Sequence, residues 1–522
     1  VPVFIKSDLK GDTVMASYIM FQGTGSHVGK SILTTALCRI FAREGMRTAP
    51  FKAQNMALNS YVTPDGKEMG RAQVAQAEAA GLIPETDMNP VLLKPVGNSR
   101  SQVIINGIPV GNMTAREYHL SYCMKAFDAV KSALARMDDT YDILVIEGAG
   151  SPAEVNLKDT DIVNMRVAKY LQAPVFLVAD IDRGGSLAAL VGTLALLEPE
   201  ERELVKGLVI NKFRGDISLF EPAVRFLEEK TGKPVIGVVP YIENMGIDEE
   251  DSVSLHDMKQ QVTHEDVNIA VVMTPKISNF TDFDSLGQED GIGLYYADTP
   301  EKLKDADVII LPGTKNTLED LQYVRKSGME AEIFKALKKG AFIVGICGGY
   351  QMLGERLCDP HGVESSVQEI YGLGLLQAET TLVNTKLTAQ VQCRCVKLRV
   401  GDVVIDCSGM RGYEIHAGQT VMKREQVRPF LITSRHGLDC SFEDGAVSEN
   451  GHVWGTYVHG LFDNDDFRHA FINAVRLHKG LSPLTRGNSY SAQKEDNYDR
   501  LANIVETHMN MDKIREIIRG ER

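Results

Sequence analysis

From Tyr18 to about Pro240 the chain alternates short apolar, β-branched runs with segments of helical periodicity. ASYIMFQG, DILVIEGAG, APVFLVAD, VKGLVINKF and KPVIGVVP each have strand length and close toward Gly, Asp or Pro. Strand and helix in alternation predict a parallel, doubly wound α/β sheet. Residues 243–266, ENMGIDEEDSVSLHDMKQQVTHED, are polar and acidic without core periodicity and read as a domain linker. A second series of strands opens at NIAVVMTP and continues through DADVIILPG and AFIVGICGG. VQCRCVKLRV, GYEIHAG and VWGTYVHG then read as strands of a mixed sheet, and a polar, helical tail follows from about Ser482. The expected units are 15–245, 268–480 and a tail 481–522, with no function given to the residues before Met15.

Composition narrows the classes open to such a chain. The 522 residues are enough for about three domains, each able to bury its own core. A net charge of −14 disfavours non-specific binding to nucleic acid or anionic membranes. No apolar run approaches the roughly 20 residues that cross a bilayer, and no leader pattern is visible. The expectation is a cytoplasmic protein with neither nucleic acid nor membrane as partner. Eight cysteines are too sparse for a disulfide framework, and the closest pair, Cys393 and Cys395, has no second Cys/His pair to complete a zinc site.

Two stretches carry chemistry. MFQGTGSHVGKS leaves an apolar strand, passes through Gly23, Gly25 and Gly29, and enters a helix at Lys30 and Ser31. Glycines let backbone N–H groups approach phosphate, the helix N-terminus favours anions, Lys30 can reach the β/γ-phosphates and Ser31 can bind Mg²⁺. The loop is one residue longer than a standard Walker A, with Gly23 standing before Thr24. Glu147, at the end of DILVIEGAG, can face the metal from a strand C-terminus. Lys52 in FKAQNMALNS is placed to contact phosphate or an anionic substrate, or is a surface lysine. Asn211 can read a purine edge or form an Asx turn. In ADIDRGGSL, Asp180, Asp182 and Arg183 can orient a carboxylate substrate or a metal, while Asp182 can equally cap the next helix.

The second stretch is FIVGICGGYQ. Apolar residues run straight into Cys347, with Gly345, Gly348 and Gly349 around it. A thiol on a tight strand-to-helix turn is held exposed, its small neighbours let the bent backbone pack, and the helix N-terminus favours thiolate. Such a nucleophile needs a base and an oxyanion hole. His459, ending the strand of WGTYVHGLF, is the preferred base, and His416 in GYEIHAG a candidate for substrate contact. Backbone N–H groups of Gly348 and of Gly313, in LPGTKNT, can serve as oxyanion donors.

Ten pieces in order, QGTGSHVGKS, FKAQNMALNS, NPVLLKP, IEGAGSPAEVNL, ADIDRGG, NKFRGD, LPGTKNT, GICGGYQMLG, GYEIHAG and YVHGLFD, resemble the cobyric acid synthase family. Members are glutamine-hydrolysing amidotransferases of cobalamin biosynthesis. The resemblance implies an α/β chain with an N-terminal P-loop, dethiobiotin-synthetase-like doubly wound domain and a C-terminal class I glutamine amidotransferase-like domain. It implies Cys347 as nucleophile and His459 as base, with ATP and Mg²⁺ as cofactors. Glutamine would be the nitrogen donor, and the b, d, e and g carboxylates of adenosylcobyrinic acid a,c-diamide the acceptors.

Two departures stand out. Ordinary class I glutaminases carry a carboxylate two residues after the histidine, where this chain has Leu461, so a Cys–His dyad is expected unless a third member comes from elsewhere. The GRAQVAQ segment lacks the additional metal-holding aspartate of dethiobiotin synthetase. Basic groups for a polycarboxylate acceptor are sought at Arg100, Arg183 and Arg214. Alternative readings are a cobyrinic acid a,c-diamide synthase, a P-loop switch ATPase and a non-catalytic binding module. FKAQNMALNS and ADIDRGG favour the cobyric reading over the first, and the second would leave Cys347 without a role. The third is opposed by Cys347 and His459 both being present.

Overall fold

The computed structural model describes residues 16–97, 100–243, 245–247, 262, 264–485 and 487–520. The segment before Met15 and most of the expected linker lie outside the described residues. Six strands of the first half form one sheet, in the order Val235–Pro240, Val205–Phe213, Val175–Asp180, Ser17–Gly23, Ile143–Glu147, Thr48–Phe51. Every pairing in it is parallel. The strands read as continuous apolar runs because helices cover both faces. Met20, Leu144 and Leu177 point into one core layer, and Ile19, Phe21 and Val145 into the other. One insertion was not legible in the hydrophobic pattern: a small four-stranded sheet of Gln54–Met56, Val91–Gly97, Arg100–Ile105 and Ile108–Thr114.

The second half holds another sheet, ordered Ile292–Ala297, Val267–Val272, Val308–Leu311, Phe342–Ile346, Val453–Thr456, Ala446–Val447. It is parallel except for the last pair. The strand expected from VWGTYVHG therefore belongs to this parallel sheet, beside Phe342–Ile346, and not to the mixed one. The mixed sheet is built on a long hairpin, Ala378–Val400 with Val403–Met422, which includes VQCRCVKLRV and GYEIHAG.

The tail is helical, Tyr490–His508 and Met511–Arg519, but it is no separate appendage. Tyr498, Leu501, Ala502 and Val505 recur at helical spacing and bury themselves with Leu37 and Phe41 against the P-loop domain. Each fully buried Leu or Val there contributes about 1.5–3 kcal/mol. Arg39 Nε donates to Asp499 at 2.8 Å and Arg43 to Asn503 at 2.8 Å, fixing the helix to Lys30–Arg43. The C-terminus thus returns across the glutaminase-like half to cover the first domain. Among the described residues no helix is long and apolar enough to cross a membrane.

Candidate active sites

The glycine-rich loop follows strand Ser17–Gly23 and feeds helix Lys30–Arg43. Gly29 has φ +96°, and a Cβ there would lie 1.9 Å from Asn211 Nδ2, so both conformation and space require glycine. Lys30 Nζ donates to the carbonyls of Gly25 at 3.0 Å and Gly150 at 3.3 Å, placing the ammonium inside the loop. Ser31 Oγ donates to Glu147 Oε1 at 2.9 Å. A hydroxyl and a carboxylate side by side suit Mg²⁺, which takes oxygen ligands and completes its shell with phosphates and water. Lys52 lies against the same oxygen of Glu147, at 2.9 Å, and Gln76 Nε2 donates to the other at 2.7 Å. Burial alone would raise the Glu147 carboxyl, but the Lys52 and Lys30 ammonium groups hold it below the usual carboxylate range. GRAQVAQ therefore supplies an amide, Gln76, to the carboxylate where an aspartate was missed.

Asn211 sits beneath the loop, its Nδ2 donating to Val28 O at 2.9 Å. The donor group of the expected base reader is thus used to hold the phosphate loop. Asp180 faces the loop through Lys212, whose Nζ bridges Asp180 Oδ2 at 2.8 Å and His27 O at 2.7 Å. Asp182 pairs with Arg214 at 2.9 Å, and that guanidinium lies over the Tyr241 ring at 3.5 Å. Asp182 does not cap the next helix, because Gly185, in the left-handed region, occupies the N-cap. Arg183 and Arg100 are exposed.

Cys347 stands between strand Phe342–Ile346 and helix Gly348–Leu353, with φ 52° and ψ −108°. A non-glycine residue held there is strained, as a nucleophile elbow requires. A Cβ on Gly349 would come within 1.9 Å of Leu311 O, so the turn closes only with glycine. Gly348 follows Cys347 directly, and Gly313 lies beside His459. A Cβ on Gly313 would lie 3.1 Å from the His459 ring, and one on Gly348 3.1 Å from Thr314 N.

His459 is fully enclosed, and its Nδ1 lies 2.6 Å from Asp282 Oδ2. Of the two expected possibilities, a dyad or a third member from elsewhere, the geometry fits the second: a carboxylate 177 positions away in sequence, in Phe280–Phe283, stands where Leu461 supplies none. Asp282 is itself fixed, since its Oδ1 accepts from Gly460 N at 3.1 Å and lies 3.4 Å from the Tyr413 hydroxyl. The Tyr413 ring stacks on the imidazole at 5.0 Å and 11°. Burial alone would lower the His459 pKa, but Asp282 and then Cys347 attract the proton and raise it to about 10. His416 lines the same cleft as Cys347, stacked on Tyr457 at 3.8 Å with Nδ1 bonded to Gly418 O at 2.9 Å.

The two sites are joined by one short segment. Lys52 pairs with Glu147, and eight residues later Ser60 N donates to Asn279 Oδ1 at 3.3 Å. Asn279 Nδ2 in turn donates to the Tyr413 hydroxyl at 3.0 Å. Lys386 of the glutaminase half pairs with Glu68 of the first domain at 2.7 Å, and Lys94 holds the other oxygen of Glu68 at 2.6 Å. Sequence reading passed over Asp282, Tyr413 and Lys212. For Asp282 the available signal was an acid set between Phe280 and Phe283 in NFTDFDSL, in the connection between the strands Val267–Val272 and Ile292–Ala297.

Residues 19–254 match the CobQ/CobB/MinD/ParA nucleotide binding domain and residues 268–467 the CobB/CobQ-like glutamine amidotransferase domain. A cobyric acid synthase of Desulforamulus reducens is 50% identical over 504 residues, covering 97% of this chain and 98% of that protein. One of Pelotomaculum thermopropionicum is 53% identical over 508 residues, covering 96% of each. The solved structure of PurLQS from Thermotoga maritima, 20% identical with a TM-score of 0.28, covers 46% of this chain and 99% of that one, a likeness too slight to bear on the fold. With half of its residues shared along nearly the whole length of such relatives, and both domains present, the chain belongs to the cobyric acid synthase family.

Proposed function

We propose that this chain amidates the b, d, e and g carboxylates of adenosylcobyrinic acid a,c-diamide in the cytoplasm, using glutamine and ATP. The observation that carries the reading is the pairing, on one chain, of a Cys347–His459–Asp282 arrangement with a P-loop whose Ser31 touches Glu147. The working units are 15–245 for the synthetase and 268–480 for the glutaminase, with the 481–522 tail helices serving the first.

At the glutaminase site the Cys347 thiolate adds to the side-chain amide carbon of glutamine. Backbone N–H groups of Gly348 and Gly313 stabilise the oxyanion, and the C–N bond breaks as His459 protonates the leaving ammonia. Water, deprotonated by the same imidazole, then cleaves the thioester to glutamate. Asp282 keeps the proton on Nδ1, which leaves Nε2 toward the thiol.

At the other site Mg-ATP supplies the phosphoryl group that turns a carboxylate into an electrophile, and ammonia displaces phosphate to leave the amide. Gly23, Gly25 and Gly29 would cradle the phosphates and Lys30 would neutralise them. Ser31 and Glu147 would hold Mg²⁺. Lys52, paired with Glu147, stands ready to exchange that partner for a phosphate oxygen. Asn211 supports the loop and reaches the nucleotide only through it. Asp180, Asp182 and Arg183 border the acceptor side.

The test is acceptor choice. Purified protein with Mg²⁺, ATP and ammonia should consume adenosylcobyrinic acid a,c-diamide. Selective amidation of cobyrinic acid at a and c instead would replace the proposed acceptor, and no dependence on Mg²⁺ would remove the Ser31 and Glu147 assignment.

A further inference from the structure

The cleft that holds Cys347 and His459 has a volume of about 310 Å³, at the small end of ligand sites. It admits an amino acid and not a macrocycle. Besides the reacting groups it is lined by four charged side chains, Lys94, Lys315, Lys386 and Glu364. Two of these are committed, since Lys94 and Lys386 share the carboxylate of Glu68 at 2.6 and 2.7 Å. Lys315 has no ion pair with any described residue. Burial and the neighbouring Lys386 ammonium push its pKa down. Glu364 is fixed at one oxygen only: its Oε2 accepts from Thr317 N at 3.1 Å and lies 3.3 Å from Thr317 Oγ1. Burial pushes its carboxyl up. Thr317 Oγ1 is in turn 3.2 Å from where a Cβ on Gly348 would stand, so this carboxylate is anchored against the nucleophile turn.

A half-buried cation and a half-buried anion, neither with a direct ion pair among the described residues, beside a thiol that takes an amide, match the two ends of an amino-acid head. We propose that Lys315 binds the α-carboxylate and Glu364 the α-ammonium of glutamine, selecting the nitrogen donor by its head while Cys347 reads its amide. The inference rests on Cys347 being the glutaminase nucleophile. Glu364 and Glu68 act on Lys315 only at a distance, so a bound zwitterion gives Lys315 a direct ion pair and gives the second oxygen of Glu364 a donor. Charge-assisted bonds of this kind confer about ten- to a hundredfold in affinity each.

The test measures glutamine hydrolysis by glutamate or ammonia release. Wild-type protein should prefer glutamine at least about tenfold in kcat/KM over glutaramate, which lacks the α-amine, and over 4-aminobutanamide, which lacks the α-carboxylate. Glu364→Gln should raise KM for glutamine about ten- to a hundredfold with kcat nearly constant, and erase the preference over glutaramate. Lys315→Met should do the same toward 4-aminobutanamide, with Lys315→Arg restoring much of it. Wild-type activity toward both analogues within about threefold of glutamine would overturn the proposal without any variant. So would a fall in kcat at constant KM in both substitutions. Iodoacetamide, which carries no amino-acid head, keeps the two readings apart: if it alkylates Cys347 and glutamine hydrolysis survives, the nucleophile assignment fails, whatever Lys315 and Glu364 do.

Discussion

Asp282→Asn isolates what the distant carboxylate does for the base. The His459 pKa stands at about 10 against an ordinary 6.5, with Asp282 the largest of the attractions that raise it. At about 1.36 kcal/mol for each pKa unit, the whole displacement is worth ~5 kcal/mol in favour of imidazolium. Taking at least half of it as Asp282 gives roughly 2–3 kcal/mol, about a hundredfold in rate if the charge is needed in the transition state. Asparagine keeps the shape but can present an N–H to Nδ1, which moves the ring proton to Nε2 and blocks proton uptake from the thiol. With that added, kcat for glutamine hydrolysis should fall by about 10²–10⁴. KM should change little, because Asp282 stands behind the imidazole. The sign of the pH effect follows from the charge: without Asp282 the imidazolium loses its proton at lower pH, so the basic limb of kcat, near pH 10 in the wild type, moves down. The assay is glutamate release from pH 6 to 10.5 at saturating glutamine. A variant within about threefold of wild type, with its basic limb unmoved, would refute a positioning role for Asp282.

Three further outcomes follow from contacts elsewhere. Gly349→Ala forces a Cβ to 1.9 Å from Leu311 O, and should lower the melting temperature by the equivalent of about 1–3 kcal/mol and abolish glutamine hydrolysis. Glu68→Gln leaves Lys94 and Lys386 without their shared counter-ion, which should cost about 3–5 kcal/mol at pH 7 in a denaturant titration. Those two lysines hold the Glu68 carboxyl far below its ordinary 4.5, so its contribution is present above that value and is lost as pH falls, and the two proteins should converge in acid. Ser31→Ala removes the hydroxyl beside Glu147, and the Mg²⁺ concentration for half-maximal ADP release should rise about tenfold.

Local chemistry was legible in the sequence, and long-range closure was not. Gly29-Lys30-Ser31 and Cys347 announce themselves because strand, turn and helix are consecutive, so the spacing alone sets the geometry. Glu147 was readable for a related reason, since a strand end in a parallel sheet faces the ligand side. Asp282 was missed because its link to His459 spans 177 positions and depends on the strands Val267–Val272 and Val453–Thr456, with two others between them, ending on the same side of one sheet. The polar tail misled for another reason: a helix with one apolar stripe has a polar average, and only the 3.6-residue period of Tyr498, Leu501, Ala502 and Val505 reveals the buried face. The strand Val453–Thr456 looked like part of the mixed sheet because it follows those strands in the chain, yet its full burial suits the parallel one. Lys52 was readable as a strand-end cation, while its pairing with Glu147 needed the sheet order that sets their strands side by side.

The most direct measurement is a mass spectrum of adenosylcobyrinic acid a,c-diamide after incubation with the protein, Mg-ATP and glutamine, beside the Cys347→Ala variant. Ammonia made at Cys347 and consumed at the P-loop predicts successive acid-to-amide shifts with wild type, absent in the variant and restored when free ammonia replaces glutamine. Glutamine-supported shifts persisting in Cys347→Ala, or no shift with ammonia despite ATP hydrolysis, would contradict it.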